Sequence, residues 1–276
     1  MMFFSDIDGD EIEKRILEFR LQAESGISDE TCINAVTSIF GRVFSFATEM
    51  RSYEKGRTFY RVRALPPDDT SIPLKTIRRI EDAWEPPKQF VSVQGRLNKI
   101  GQSILYCCPD DFELAIDEAR ARSSKHIAAI VYKSFRPINV AVLGDYDNSS
   151  LPKDERSRLF YSFLNDEFSR LVPKGSEGRY SITRAIADTY FNYPEQDAWC
   201  YRSVQSPEKF NVAFLPGKSK SSLNLIGIMI CEIGASANNS LKVKLVVDFD
   251  EQSGEARYHA IGSEEQMRIF PEIVRA

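Results

Sequence analysis

The sequence predicts an α+β protein. Runs of β-type residues are short, and helical segments separate only some of them, so strand and helix do not alternate regularly. No glycine fingerprint opens a helix, which disfavours a doubly wound dinucleotide-binding fold. A chain of 276 residues with 42% apolar and 28% charged residues can build a sizeable core. The predicted strands are Phe59–Arg63, Ser103–Cys107, Ile127–Tyr132, Ile138–Leu143, Asn211–Leu215, Leu225–Cys231 and Leu241–Phe249.

The N-terminal segment is predicted to form two helices within Asp10–Arg51. Gly26 interrupts the helical pattern, and Ser28 offers a side-chain cap for the second helix. These helices would make an extension over residues 1–55, ahead of a catalytic domain over residues 56–276. Two interpretations stay open: a partner-binding or regulatory lid, and a helical pair packed permanently on the main domain. Apolar residues recur at three- or four-residue steps, at Ile12, Ile16, Phe19, Ile33, Val36, Phe40 and Val43.

Three further helices are predicted in the main domain, at about Asp111–Arg122, Pro152–Leu171 and Tyr180–Tyr190. The last strands are expected to form a meander, with turns around Ser236–Ser240 and Gln252–Gly254.

Composition argues against several classes of partner. The formal net charge is −4 and no block of lysines and arginines stands out, so a nucleic-acid partner is not expected. The apolar run Leu225–Cys231 is too short to span a bilayer, and no membrane segment is expected. The cysteines are odd in number and lack a spaced framework, which favours a reducing cytoplasm; they are Cys32, Cys107, Cys108, Cys200 and Cys231.

A metal site is not expected. The segment Asp6–Asp10 is similar to a calcium-binding loop, but Gly9 comes two positions early and Leu17 stands where the closing acid belongs.

The first predicted strand of the main domain carries two arginines on one face. Alternation puts Arg61 and Arg63 on one side and Tyr60 and Val62 on the other. The functional interpretation is a phosphate clamp, and the alternative is a solvated arginine face on an ordinary amphipathic strand.

The segment Gly95–Asn98 supplies further donors. Glycine permits close approach of the backbone, and Arg96 and Asn98 could contact a second phosphate, although Gly-Arg pairs also mark ordinary turns. Tyr106, on the following strand, could stack on a planar heterocycle or could be a core residue with a satisfied hydroxyl.

Glu118 is the candidate functional carboxylate. It lies four residues after Leu114 on the predicted helix and so borders its apolar side, whereas Asp117 points toward water. The alternative for Glu118 is a surface salt bridge to Arg122.

Ser203 and Asn211 stand at opposite ends of a short connection. Neither His126 nor His259 has a neighbouring pattern that would identify a catalytic triad, so a hydrogen-bonding role for Ser203 is favoured over covalent catalysis.

Together these residue types suit a phosphorylated, cationic glycoside. Arginines bind phosphate through paired donors, and a carboxylate stabilises positive charge that develops on a sugar. Nicotinamide adenine dinucleotide (NAD) fits that description.

The ordered set of motifs resembles the RES-domain family, from about Thr58 to Pro216. The matching motifs are Tyr60-Arg61, Gly95-Arg96-x-Asn98, Leu105-Tyr106, Ala115-Ile-Asp-Glu118, Tyr201-Arg-Ser-Val204 and Asn211-Val-Ala213. The chain departs from the family pattern before Ser203, where proline is common, and it has one extra residue between Tyr106 and Glu118.

The resemblance implies an ADP-ribosyltransferase-like fold and an enzyme that degrades NAD by phosphorolysis or hydrolysis. By position, Arg61 and Arg96 would hold the phosphates, and Tyr106 would pack against the nicotinamide or its ribose. Glu118 would stabilise the reacting ribose, and Ser203 would position the substrate. Asn98 and Asn211 would support the site.

The resemblance also implies a bacterial toxin or defence effector with a cognate antitoxin or regulatory protein. NAD would be the substrate, inorganic phosphate is a candidate co-substrate, and no other cofactor is expected. A homo-oligomer is also compatible with the sequence. Two alternatives stay open: transfer of ADP-ribose to a macromolecule, and a non-catalytic module that binds NAD or ADP-ribose.

Overall fold

The computed structural model describes residues 8–40, 48–146, 155–173, 175–234 and 241–274. Its helices are α1 (Gly9–Gln22), α2 (Asp29–Phe40), α3 (Phe112–Glu118), α4 (Glu155–Ser169), α5 (Tyr180–Tyr190) and α6 (Glu264–Ile269). Its strands are β1 (Met50–Tyr53), β2 (Thr58–Ala64), β3 (Leu105–Pro109), β4 (His126–Ser134), β5 (Ile138–Leu143), β6 (Ala198–Arg202), β7 (Phe210–Phe214), β8 (Leu223–Ile233), β9 (Leu241–Phe249) and β10 (Ala256–Ala260).

The chain forms two compact units, each built from separated segments. Unit 1 comprises Met1–Arg51, Pro87–Ser103 and Asn139–Ala213, and unit 2 comprises Ser52–Pro86, Ile104–Ile138 and Phe214–Ala276. The combination of helices with a mixed set of strands confirms the predicted α+β class.

In unit 1, the N-terminal helices share an aromatic core with α4. The ring of Phe19 lies 6.3 Å from that of Phe163, and Phe40 packs edge-on against Phe160 at 4.9 Å. The strands β5, β6 and β7 are neighbours in that order, and β5 runs parallel to β6. Ser28 caps α2 as predicted, because its Oγ accepts a hydrogen bond from Thr31 N at 3.1 Å.

In unit 2, six strands follow one another in the order β3-β2-β4-β8-β9-β10. Neighbouring strands in this order are antiparallel, as in β2 with β4, where Tyr60 lies opposite Val131 and Arg61 opposite Ile130. The strands β8, β9 and β10 form the predicted meander, and Gly254 adopts a positive φ of 69° in its last turn. The other predicted turn, Ser236–Ser240, lies outside the described residues.

One face of this sheet carries a hydrophobic core of unit 2. Its buried residues include Val62 from β2 and Leu114, Ala115 and Ile116 from α3, together with apolar residues of β4 and β8. The helix α3 therefore lies on the side of β2 from which Val62 projects.

Two predicted helix ends were wrong. Residues Met50–Tyr53 form a strand, so the second N-terminal helix does not extend to Arg51; Val43, which was expected to continue it, lies outside the described residues. The helix α3 ends at Glu118 and not at Arg122, because Arg120 adopts a left-handed conformation with φ of 50°. Among the described residues, no helix is both long enough and apolar enough to cross a membrane.

Candidate functional site

The guanidinium groups of Arg61 and Arg63 meet at one carbonyl oxygen in unit 2. Both donate to Trp84 O, and the Arg63 contact measures 3.0 Å. The Trp84 ring packs on Tyr132 at 5.2 Å, and the ammonium of Lys220 lies 5.6 Å from its centre. Three cations therefore surround one tryptophan.

This crowding has an electrostatic cost. Burial, and next the charge of Arg61, lower the pKa of Arg63 to about 10. Each guanidinium carries more donors than a single carbonyl oxygen can accept, so the pair is suited to binding an anion.

Tyr106 and Glu118 lie on the other side of the same sheet. Cys108 pairs with Tyr60 across β3 and β2, so alternation puts Tyr106 on the face that α3 covers. Glu118 is the last residue of α3, and its charge contributes, after burial, to raising the pKa of the Cys108 thiol. Both side chains are half-buried.

The helix that carries Glu118 is fixed at its start. Asp111 Oδ1 accepts a hydrogen bond from Leu114 N at 2.8 Å, which caps α3. Beyond its other end, Arg122 pairs with Asp117 at 2.6 Å and reaches back to Glu113, in the first turn of α3, at 2.7 Å. These contacts hold the end of α3 that presents Glu118.

The structure thus divides the predicted residues of unit 2 between the two faces of the sheet. Arg61 and Arg63 project from one face of β2, whereas Tyr106 and Glu118 lie on the face that packs against α3. A ligand confined to one face would contact only one pair.

In unit 1, Arg96 is buried, and its side chain makes hydrogen bonds within the fold. Its guanidinium donates to Glu167 O at 3.0 Å and to Arg170 O at 2.9 Å, at the C-terminal end of α4. It also stacks against the rings of Tyr180 and Tyr201, at 5.3 and 5.7 Å. A cation at this position satisfies carbonyls that a helix end leaves without intrahelical donors.

Asn98 lies in the same loop and is also buried. Gly95 N donates to Asn98 O at 3.1 Å, which closes the turn around Arg96. The Asn98 amide donates to Lys99 O at 3.2 Å, and the hydroxyl of Thr183 donates to Arg96 O at 2.7 Å. The loop is therefore held at both its backbone and its side chains.

Ser203 is almost completely buried between β6 and β7. Its Oγ accepts hydrogen bonds from Gln205 N at 3.0 Å and Ser206 N at 3.1 Å, which shapes the connection to β7. Asn211 is buried on β7. These contacts agree with a hydrogen-bonding role for Ser203.

Sequence reasoning missed Trp84 and Glu85. Trp84 O receives both β2 arginines, and the Glu85 carboxylate accepts from Ser219 Oγ at 2.9 and 3.1 Å. The sequence feature that could have drawn attention to them is the run Trp84-Glu-Pro-Pro87, in which one of the two tryptophans of the chain stands shortly before a proline pair.

The cysteines give no sign of a thiolate nucleophile. All five are buried, and burial raises the pKa of Cys32 and Cys231 to about 12. Within the part of the chain that the structure describes, no three His, Cys, Asp or Glu side chains form a group that could hold a metal ion.

Comparison with known proteins identifies the class. The model of the RES domain matches residues 73–225, which is more than half of the chain. The chain therefore belongs to the RES-domain family, and the resemblance inferred from its motifs is confirmed. No curated protein matches the chain.

The family is associated with NAD-related activity. The matched range contains most of the predicted site residues, whereas Arg61 and Arg63 precede it; those within it are Arg96, Asn98, Tyr106, Glu118, Ser203 and Asn211. The functional roles of all eight residues stay predictions.

Proposed function

We propose that this protein degrades NAD by cleaving the bond between nicotinamide and ribose. The observation that carries the proposal is the match to the RES domain over residues 73–225, a range that includes Glu118 and Tyr106. The acceptor of the ADP-ribosyl group would be inorganic phosphate or water.

Glu118 has the central role in this reaction. As the glycosidic bond breaks, its electron pair leaves with nicotinamide and the ribose gains oxocarbenium character. A fixed carboxylate stabilises that positive charge, and the acceptor oxygen then bonds to the same carbon; water gives up a proton, whereas hydrogen phosphate need not. The capped and braced α3 supports such preorganisation.

Tyr106 would pack against the nicotinamide or its ribose. It lies on the same face of the sheet as α3, which is the arrangement that a shared ligand requires.

The β2 arginines are assigned to the phosphates, which requires NAD to reach both faces of the sheet, because Tyr106 and Glu118 lie on the face opposite to these arginines. The convergence of Arg61 and Arg63 on Trp84 O supports this assignment, because two crowded guanidiniums gain from an anion. Arg96 was expected to hold a phosphate together with Arg61, but its guanidinium already donates to two carbonyls at the end of α4. For the loop Gly95–Asn98 we therefore propose substrate contact through the loop, which Arg96 anchors to α4. Ser203 would position the substrate, and Asn211 would support the site from β7.

The direct test is a time course of purified protein with NAD, with and without inorganic phosphate. The products to resolve are nicotinamide, ADP-ribose and ADP-ribose 1″-phosphate. Release of nicotinamide with either sugar product would support the proposal and identify the acceptor. NAD binding without release would contradict it and favour a binding module, whereas a labelled macromolecule would indicate an ADP-ribosyltransferase.

An NAD-degrading enzyme would be toxic to the cell that makes it. We therefore propose a toxin or defence effector that is restrained by an antitoxin or regulatory protein. Induced expression should deplete cellular NAD and stop growth; unchanged NAD at high expression of active protein would contradict this role.

A further inference from the structure

A cluster of charged side chains joins the three chain segments of unit 1. Asp29, at the start of α2, pairs with Lys99 at 2.8 Å and with Arg184 of α5 at 2.5 Å. Lys99 also approaches Asp188 of α5 at 3.3 Å. The N-terminal extension, the Gly95–Asn98 loop and α5 therefore meet at one carboxylate.

Asp29 compensates a buried charge. The Arg184 side chain is 7% exposed, and among the described residues its Nε has no hydrogen-bond partner. A buried guanidinium without a counter-ion is strongly unfavourable, so the Asp29 carboxylate is important for this packing. Burial opposes its ionisation, but bonds to Lys99 and Arg184 hold the pKa of Asp29 below its usual value.

Lys99 transmits this contact to the loop. It follows Asn98 directly, and its backbone N–H donates to Gln102 Oε1 at 2.8 Å. Its ammonium is thus tied to α2 and α5, while its backbone fixes the end of the loop.

We infer that Asp29 is a positioning residue for the Gly95–Asn98 loop, so that α2 helps to build the substrate site. That α2 helps to build an NAD site rests on the proposed function, whereas the positioning of the loop by Asp29 does not.

The test compares Asp29→Ala with Glu30→Ala, which removes an exposed carboxylate from the same turn of α2. Hydrogen exchange of peptides covering residues 94–102 should become about tenfold faster in Asp29→Ala and stay unchanged in Glu30→Ala. The KM for NAD should rise about tenfold in Asp29→Ala, with kcat within about twofold, because uniform binding is lost. In Asp29→Glu, which keeps the carboxylate, both the hydrogen exchange of the loop and the KM for NAD should return most of the way to their wild-type values.

Unchanged exchange of the loop in a folded Asp29→Ala protein would overturn the inference. If Asp29→Ala does not fold, Lys99→Met is the second variant, since it keeps the Asp29–Arg184 pair. Hydrogen exchange of the loop should become as fast in Lys99→Met as is expected for Asp29→Ala. Unchanged loop exchange in Lys99→Met would overturn the inference. Faster loop exchange in a protein that never releases nicotinamide would instead contradict the proposed function alone. Faster loop exchange with an unchanged KM would show that the loop is positioned but does not contact NAD.

Discussion

Arg96 fits a family motif and also holds the fold together. Its position after Gly95 could be identified from the sequence, but its hydrogen-bond partners could not. Those partners are carbonyl oxygens of Glu167 and Arg170, more than seventy residues away, and a local motif contains no information about them. The environment of Glu118 was easier to predict from the sequence, because helical spacing alone places this residue beside the apolar side of its helix.

Replacing Arg96 should therefore reduce stability as well as activity. In Arg96→Ala, two carbonyls at the buried end of α4 lose their donor, and we expect a loss of roughly 1–3 kcal/mol. Urea unfolding measures this change. The control is Arg158→Ala, at an exposed position of the same helix, which should stay within about 0.5 kcal/mol of the wild type. Equal stability of the two variants would show that the cap is unimportant.

At the scale of the element, periodicity predicted the interiors of helices and strands well. The bounds of α5, β5 and β9 agree with the prediction. The end of α3 could not be predicted, because no sequence rule required Arg120 to adopt a left-handed conformation. The short helix α6 was missed, although Ser263 three residues before Gln266 is a capping signal, and Ser263 Oγ accepts from Gln266 N.

The hairpin β9–β10 contains a pH-dependent contact. Asp248 accepts from Arg257 at 3.0 and 2.8 Å and contacts His259 at 2.7 Å. Burial alone would raise the pKa of Asp248, but Arg257 and then His259 hold it below its ordinary value of 3.8. The contribution to stability is therefore present above about pH 4 and is lost as pH falls through the lowered pKa.

Asp248→Asn should accordingly be less stable than the wild type at neutral pH, and the difference should shrink below about pH 4. Unfolding free energies measured from neutral to strongly acidic pH test this, with exposed Glu251→Gln as the control. A difference that stays constant down to about pH 2.5 would show that ionised Asp248 does not stabilise the fold.

At the scale of the whole molecule, sequence predicted the class but not the arrangement of segments. A division at residue 55 is the simplest linear interpretation and stays a prediction. Each of the two compact units is built from three segments that are separated along the chain. A unit of this kind depends on contacts between distant segments, such as Phe40 with Phe160 in unit 1, which hydrophobic periodicity does not specify.

The N-terminal helices should behave as part of the core of unit 1. Phe40 is fully buried against Phe160 and Phe163, so Phe40→Ala should cost about 3–5 kcal/mol. Phe90→Ala is the control, because Phe90 is 72% exposed and should change stability by less than about 0.5 kcal/mol. A cost below about 1 kcal/mol for Phe40→Ala would favour the lid interpretation of these helices.

The most direct test of NAD cleavage is the rate of nicotinamide release by Glu118→Gln. Loss of the carboxylate removes stabilisation of the developing positive charge, so we expect kcat to fall about 100- to 1000-fold with the fold intact. Glu251→Gln, a change of an exposed carboxylate in the turn between β9 and β10, should retain the wild-type rate. Nicotinamide release by Glu118→Gln at the rate of the wild type would contradict the central role given to this residue.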